Sequence, residues 1–292
     1  MTALRSLLFV PGDSEKKLSR GASSGADALI LDLEDSVAPA RKPIAREMVS
    51  ERLAAQWGPG SPALWVRINA LDEGGVEDLA AVVRGAPAGI MVPKTDGPAD
   101  VVRLGYYLEA LESRDGLARP IPILPVATET ARAPFGLSDF AEARLPRLYG
   151  LTWGAEDLSA ALGASTNRDE TGAWDFTYRM VRSLCLLAAK AAGVEPIETL
   201  YSDFRDPDGL RASCLAASRE GFTGRLAIHP DQVAIINDAF APSEADVAHA
   251  RRVLAAFEAS PGVGTVGLDG KMLDIPHLKQ ARQVLARSAQ RS

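Results

Sequence analysis

Over the first 230 residues, short apolar runs alternate with polar or amphipathic stretches. The runs are Ser6–Val10, Ala28–Leu33, Leu64–Asn69, Gly89–Lys94, Ile123–Glu129, the stretch from Tyr149, Pro196–Tyr201 and Gly224–His229. Most lack strict polar alternation, the pattern of strands buried on both faces of a parallel sheet. The stretches between them carry helical spacing: 15–22, 41–54, 76–83, 100–113, 158–162, 176–192 and 208–220. Eight strands alternating with helices, without a Gly-rich phosphate loop, predict an α/β fold of the (β/α)8 barrel type.

Beyond the barrel the pattern changes. Ser243 is placed to cap a helix reaching about Ala259. Residues 260–267 read as a flexible connector, 268–276 as a second tight element, and Pro276–Arg287 as a basic helix. The predicted division is a catalytic barrel over 1–241 and a C-terminal extension over 242–292. The extension is too small to fold alone, so it is expected to pack on its own barrel or to reach into a neighbouring subunit.

Composition narrows the class. The chain is 47% hydrophobic and 24% charged, as in an ordinary globular protein, and its net charge of −6 argues against nucleic acid as the main partner. No run has the length of a membrane span, and Ser6–Val10 is too short for a signal peptide. Cys185 and Cys214 both lie in apolar helical runs and read as core residues in a reducing compartment. A cytoplasmic location with no membrane partner is expected.

The candidate chemistry sits where apolar runs end in charge. Glu129 and the Glu156/Asp157 pair follow consecutive strands, where a parallel barrel places its active site. Two carboxylates there suit one hard divalent cation, with water and substrate completing its shell. Local helix capping is the competing role, and the pattern does not choose between Glu156 and Asp157. Arg67 interrupts an apolar strand and needs an anion: a substrate oxygen, or the acidic tip Asp32, Glu34 and Asp35. That tip and Lys94, which ends its own strand, read as supports behind the cation site.

Seven segments in one order then carry a resemblance. Arg5-Ser-Leu-Leu-Phe-Val-Pro-Gly, Leu31-Asp-Leu-Glu-Asp-Ser-Val, Val66-Arg-Ile-Asn, Val92-Pro-Lys, Ala127-Thr-Glu-Thr, Gly154-Ala-Glu-Asp-Leu and Ile228-His-Pro-Asp-Gln resemble the citrate lyase β-subunit-like (CitE-like) branch of the HpcH/HpaI aldolase superfamily. The resemblance is nearest to the malyl-CoA and citramalyl-CoA lyases. It implies a homotrimer or homohexamer and Mg²⁺, or Mn²⁺ in its place, on Glu129 and Asp157, which selects Asp157 over Glu156. It assigns Arg67 to the substrate and the backbone amides around Gly154, Ala155 and Glu156 to a keto-acid carboxylate. It places Arg5 and Lys17 against coenzyme A, carried as part of the substrate. Gly270-Lys-Met-Leu-Asp274-Ile-Pro is similar to the segment that brings a catalytic aspartate into a neighbouring site; read alone, Asp274 would cap a helix.

The activity so implied is reversible cleavage of a 3-hydroxyacyl-CoA, such as citramalyl-CoA or malyl-CoA, to acetyl-CoA and pyruvate or glyoxylate. Thioester hydrolysis is a second activity of the group. The alternatives are a citrate lyase β subunit acting on a carrier-protein thioester, a class II 2-oxo-acid aldolase, and a non-catalytic CoA or metabolite sensor.

Overall fold

A computed structural model describes residues 3–55, 58 and 60–289. The outermost residues of the two expected domains, 1–2 and 290–292, lie outside the described residues. The chain divides into two compact units, Leu4–Asn237 and a second that begins at Asp238.

In the first unit eight parallel strands carry the alternation read from the sequence. They are β1 (Ser6–Pro11), β2 (Ala28–Asp32), β3 (Ala63–Arg67), β4 (Gly89–Val92), β5 (Ile123–Pro125), β6 (Gly150–Thr152), β7 (Glu195–Glu198) and β8 (Gly224–Ala227). The hydrogen-bonded order runs β5-β4-β3-β2-β1-β8-β7-β6. Parallel bridges Ile123–Leu148 and Val126–Thr152 join β5 to β6 and close the barrel. The main helices between strands are α1 (Glu15–Ala22), α2 (Lys42–Ala54), α3 (Val76–Val82), α4 (Pro98–Asp115), α5 (Ala155–Leu162), α6 (Phe176–Ala191) and α7 (Pro207–Glu220), and α8 (Pro230–Ala239) follows β8.

The barrel interior is filled by side chains, including Leu7, Ile30, Trp65, Met91, Leu124, Tyr149, Ile197 and Leu226. Trp65 fits because β4 has glycine opposite it: a Cβ on Gly89 would stand 2.3 Å from the indole. The strands stop earlier than their apolar runs. Beyond Val92, Pro125, Thr152 and Ala227 the chain leaves the sheet, and the charged residue ending each run is carried on a loop or a helix start.

The second unit is built on α9 (Glu244–Glu258), β9 (Thr265–Leu268), β10 (Lys271–Asp274) and α10 (Ile275–Ala289). Ser243 forms a capping box with Asp246. The last three residues of the expected connector, 265–267, instead belong to β9, half of an antiparallel hairpin in which Thr265 faces Asp274. Its turn is Asp269-Gly270, both at positive φ, the I′ geometry that matches strand twist. Val253, Phe257, Val266, Leu273 and Leu278 form a separate small core.

Candidate active site

The register of neighbouring strands assembles the centre of the site. Asp32 ends β2 directly beside Arg67 at the end of β3. The two side chains form a fork, Arg67 Nε and Nη2 donating to the two oxygens of Asp32 at 2.7 Å each, while Nη1 reaches Glu34 Oε2 at 2.9 Å. Phe9 of β1 lies under the guanidinium, 4.7 Å from ring centroid to Cζ. Burial by itself would raise the Asp32 carboxyl, but the Arg67 bonds outweigh it and hold Asp32 below the usual carboxylate range. Burial likewise opposes the Arg67 charge, and Asp32 and Glu34 more than compensate. Three of the five guanidinium donors are committed, which leaves two for a ligand oxygen.

Lys94 follows β4 in a left-handed backbone conformation, φ 54°. That turn aims its amide at Glu129, whose Oε2 accepts at 2.7 Å. Its side chain goes the other way, onto Glu34, with Asp35 at 3.7 Å and Asp157 at 3.9 Å. Burial raises the Glu34 carboxyl although Arg67 and Lys94 pull against the shift. Asp35 is largely exposed.

Glu129 is buried, and among the described residues the Lys94 amide is the one hydrogen-bond partner of its side chain. Burial and then the neighbouring Asp157 charge push its carboxyl up to about 8. Gly154 makes this packing possible, since a Cβ there would stand 2.7 Å from Glu129 Cγ. Asp157 lies in the first turn of α5 and is about one-third exposed. Among the described residues no cluster of three or more His, Cys, Asp or Glu forms a complete metal cage. The donors present are two carboxylates, one of them buried with no ion pair among the described residues. That set suits a hard divalent ion whose other positions stay with water and ligand oxygens.

Asp32, Arg67, Glu129, Gly154, Ala155, Glu156 and Asp157 line one cavity of about 180 Å³. Several expectations change in detail. The Gly154 amide is taken by Thr128 Oγ1 at 3.0 Å, so the helix-start donors left for a carboxylate are those of Ala155, Glu156 and Asp157. Glu156 is exposed and accepts from Asn167 Nδ2 at 3.0 Å, a structural tie. Arg5 is not brought to the site. It precedes β1, at the N-terminal end of the barrel, and is held in a fork by Asp27 at 2.7–2.9 Å.

Lys17 instead lines a second cavity of about 340 Å³, together with Arg20 and His229. Phe9, Ser36 and Ile228 line both cavities, so the two adjoin. Asp274 belongs to the second unit, at the end of β10, with its Oδ1 2.5 Å from His277 Nδ1. Sequence reasoning missed Trp153 and Trp174, both of which line the site cavity. Trp174 lies between the helical stretches 158–162 and 176–192, where a lone tryptophan among polar residues is the available signal.

The model of the HpcH/HpaI aldolase/citrate lyase family matches residues 5–230. The chain belongs to this family. It is 35% identical over 290 residues to a (3S)-malyl-CoA thioesterase of Cereibacter sphaeroides, covering 97% of this chain and 94% of that protein. It is 37% identical to citrate lyase subunit beta of Escherichia coli, with coverage of 97% and 93%. It is 33% identical to the mitochondrial citramalyl-CoA lyase of Rattus norvegicus, with coverage of 96% and 85%. Among solved structures, CitE of Mycobacterium tuberculosis in complex with magnesium, acetoacetate and coenzyme A superposes with a TM-score of 0.78, at 34% identity and 98% coverage of both chains. These relatives are enzymes, and membership makes this chain an enzyme. None of its described helices is long and apolar enough to cross a membrane.

Proposed function

We propose that this chain is a Mg²⁺-dependent carbon–carbon lyase. It would cleave a 3-hydroxyacyl-CoA of the citramalyl or malyl type to acetyl-CoA and a 2-oxo acid. The observation that carries the reading is Glu129: a buried carboxyl, pushed up to about 8, beside a second carboxyl in the first turn of α5 and with no ion pair among the described residues. Glu129 and Asp157 would hold the ion, which supplies Lewis acidity and a template for adjacent substrate oxygens when bound.

The remaining roles belong to the chain. The amides of Ala155, Glu156 and Asp157, unsatisfied at the start of α5, receive the carboxylate of the 2-oxo acid. Arg67, fixed by Asp32 and Glu34, offers its two remaining N–H groups to the oxygen that gains charge as the thioester enolate forms. Asp274 of a neighbouring copy returns the proton to the acetyl carbon in cleavage and removes it in condensation. Its bond to His277 fixes the carboxyl orientation. The cavity lined by Lys17, Arg20 and His229 takes the coenzyme A arm, a better placed pair of cations than Arg5. This assembly calls for a cytoplasmic homotrimer or homohexamer with the extension from 242 onward acting between subunits.

The test is acetyl-CoA release from citramalyl-CoA and malyl-CoA, with Mg²⁺ and with excess EDTA, by wild type and Asp274→Ala. Metal-dependent release that the substitution abolishes is the expected result. Release of free CoA with the intact hydroxy acid assigns a thioesterase, the activity named for the Cereibacter relative. Inactivity of the Mg²⁺-loaded protein on both substrates refutes the proposal.

A further inference from the structure

The site cavity is lined by two kinds of residue. Four carboxyls and Arg67 carry its charge, and the remaining lining is mostly apolar, including Met91, Val126, Leu226, Trp153 and Trp174. Among the described residues lining it, Arg67 is the one cation, and it is already paired with Asp32 and Glu34. A second carboxylate on the substrate would find no counter-charge there. An uncharged alkyl group would meet carbon.

The two tryptophans are held very differently. Trp153 is fully buried, and its Nε1 donates to Glu198 Oε1 at 2.6 Å, with Arg182 fixing the other oxygen of Glu198 at 2.6 Å. It is a fixed surface. Trp174 is brought in by a small turn after α5. Arg168 pairs with Trp174 across this turn, and the Asp169 amide donates to Ala173 O at 2.9 Å. Asp169 Oδ1 accepts from the amides of Thr171 and Ala173 at 2.9 and 3.1 Å, which closes the turn on itself. Trp174 then lies edge-on to Trp153, with centroids 5.2 Å apart, and Arg168 Cζ stands 3.7 Å above its ring. The Asn167–Glu156 bond ties the turn to the residue before Asp157.

We infer that Trp174 is the specificity-determining residue of this site, and that it selects thioesters whose carbinol carbon bears a small uncharged alkyl group rather than hydrogen alone or a second carboxylate. The inference rests on the lyase reading. Once the hydroxyl and carboxylate are held on the Glu129/Asp157 side and the thioester arm leads out, the fourth substituent has the apolar wall to face. A methyl group seated against such a wall gives about 10- to 200-fold discrimination. A buried, unpaired carboxylate is rejected more strongly than a missing methyl.

The experiment compares kcat/KM for malyl-CoA, citramalyl-CoA, citryl-CoA and the ethyl homologue of citramalyl-CoA, in wild type, Trp174→Ala, Trp174→Phe and Arg168→Ala. Wild type is expected to favour the methyl over the hydrogen substrate at least tenfold, and over the citryl substrate at least about a hundredfold. Trp174→Ala is expected to compress the methyl-to-hydrogen ratio about tenfold and to admit the ethyl homologue. Trp174→Phe should stand between, and Arg168→Ala should shift the ratio in the same direction by less. Wild-type preference for malyl or citryl substrate overturns the inference while leaving the lyase reading intact, and needs no variant to fold. An equal fall on all substrates in both Trp174 variants overturns it too, because a purely structural residue would act that way. Cleavage of none of the four overturns both readings.

Discussion

Glu129→Gln should make the metal-free protein more stable at alkaline pH while abolishing its response to Mg²⁺. The glutamine keeps an oxygen for the Lys94 amide and removes the ionisation. The wild-type carboxyl is pushed from an ordinary 4.5 up to about 8 by burial and by Asp157. A carboxyl raised in the folded state contributes stability that is complete below the unfolded value and is lost as pH climbs through the folded one. The wild-type loss therefore falls between about pH 4.5 and 8. The gap between those values corresponds to about 5 kcal/mol, and relaxation of the surrounding dipoles brings the expected effect to roughly 2–4 kcal/mol. For a domain of this size that is on the order of 5–10 °C in melting temperature. The assay is thermal unfolding of both proteins in EDTA from pH 5.5 to 8.5, then with saturating Mg²⁺. The variant should gain little at the acid end and the full amount at pH 8 and above. Mg²⁺ should stabilise wild type increasingly as pH rises and leave the variant unmoved. A pH-independent difference between the two proteins, or a variant that Mg²⁺ still stabilises, would refute the reasoning.

Three further outcomes follow from the same geometry. Gly154→Ala places a methyl 2.7 Å from Glu129 Cγ, so it should cost about 1–3 kcal/mol of stability by unfolding titration and weaken Mg²⁺ binding measured by calorimetry. Arg67→Lys removes the fork to Asp32, so kcat for thioester cleavage should fall about 10²- to 10³-fold; a variant within threefold of wild type would exclude Arg67 from charge stabilisation. Cys185 and Cys214 are buried, and burial pushes both thiols up, so a thiol reagent at pH 8 should label neither in the native protein and both after unfolding.

What the sequence made legible was what depends on periodicity. Buried parallel strands read as continuous apolar runs, which located all eight strands, and a charge at the end of a run pointed to the site end of the barrel. The misreadings concern direction and pairing. Arg5 was grouped with the site although it enters β1 from the opposite end of the barrel, where Asp27 holds it. The left-handed turn at Lys94, which hands an amide to Glu129, has no signature in composition, because lysine rarely adopts it. Residues 260–267 read as linker because three of their eight positions are glycine, whereas the Asp269-Gly270 pair that follows is a strong hairpin signal. Trp174 was passed over because its neighbours are polar. Its role rests on a turn closed by Asp169, which no periodicity reveals.

The pairing also explains why a divalent ion suits this barrel better than another lysine or arginine would. Asp32, Glu34, Asp35, Glu129 and Asp157 converge on Arg67 and Lys94, five carboxyls around two cations. The two cations are spent on the β2 tip: Arg67 on Asp32 and Glu34, Lys94 chiefly on Glu34. Three carboxyls are left over: Asp35, which is largely exposed to water, and Glu129 and Asp157, beside the amides that open α5. A third basic side chain would neutralise one carboxyl and fill the cavity with its stem. A small ion of double charge would answer both carboxyls and still leave positions for a hydroxyl and a carboxylate of the proposed substrate. On the proposed reading, burial of Glu129 is then no defect of packing: it would destabilise the metal-free site so that binding of the ion is coupled to ionisation of the carboxyl, and the two N–H groups of Arg67 not committed to Asp32 and Glu34 would meet charge that develops only in the reaction.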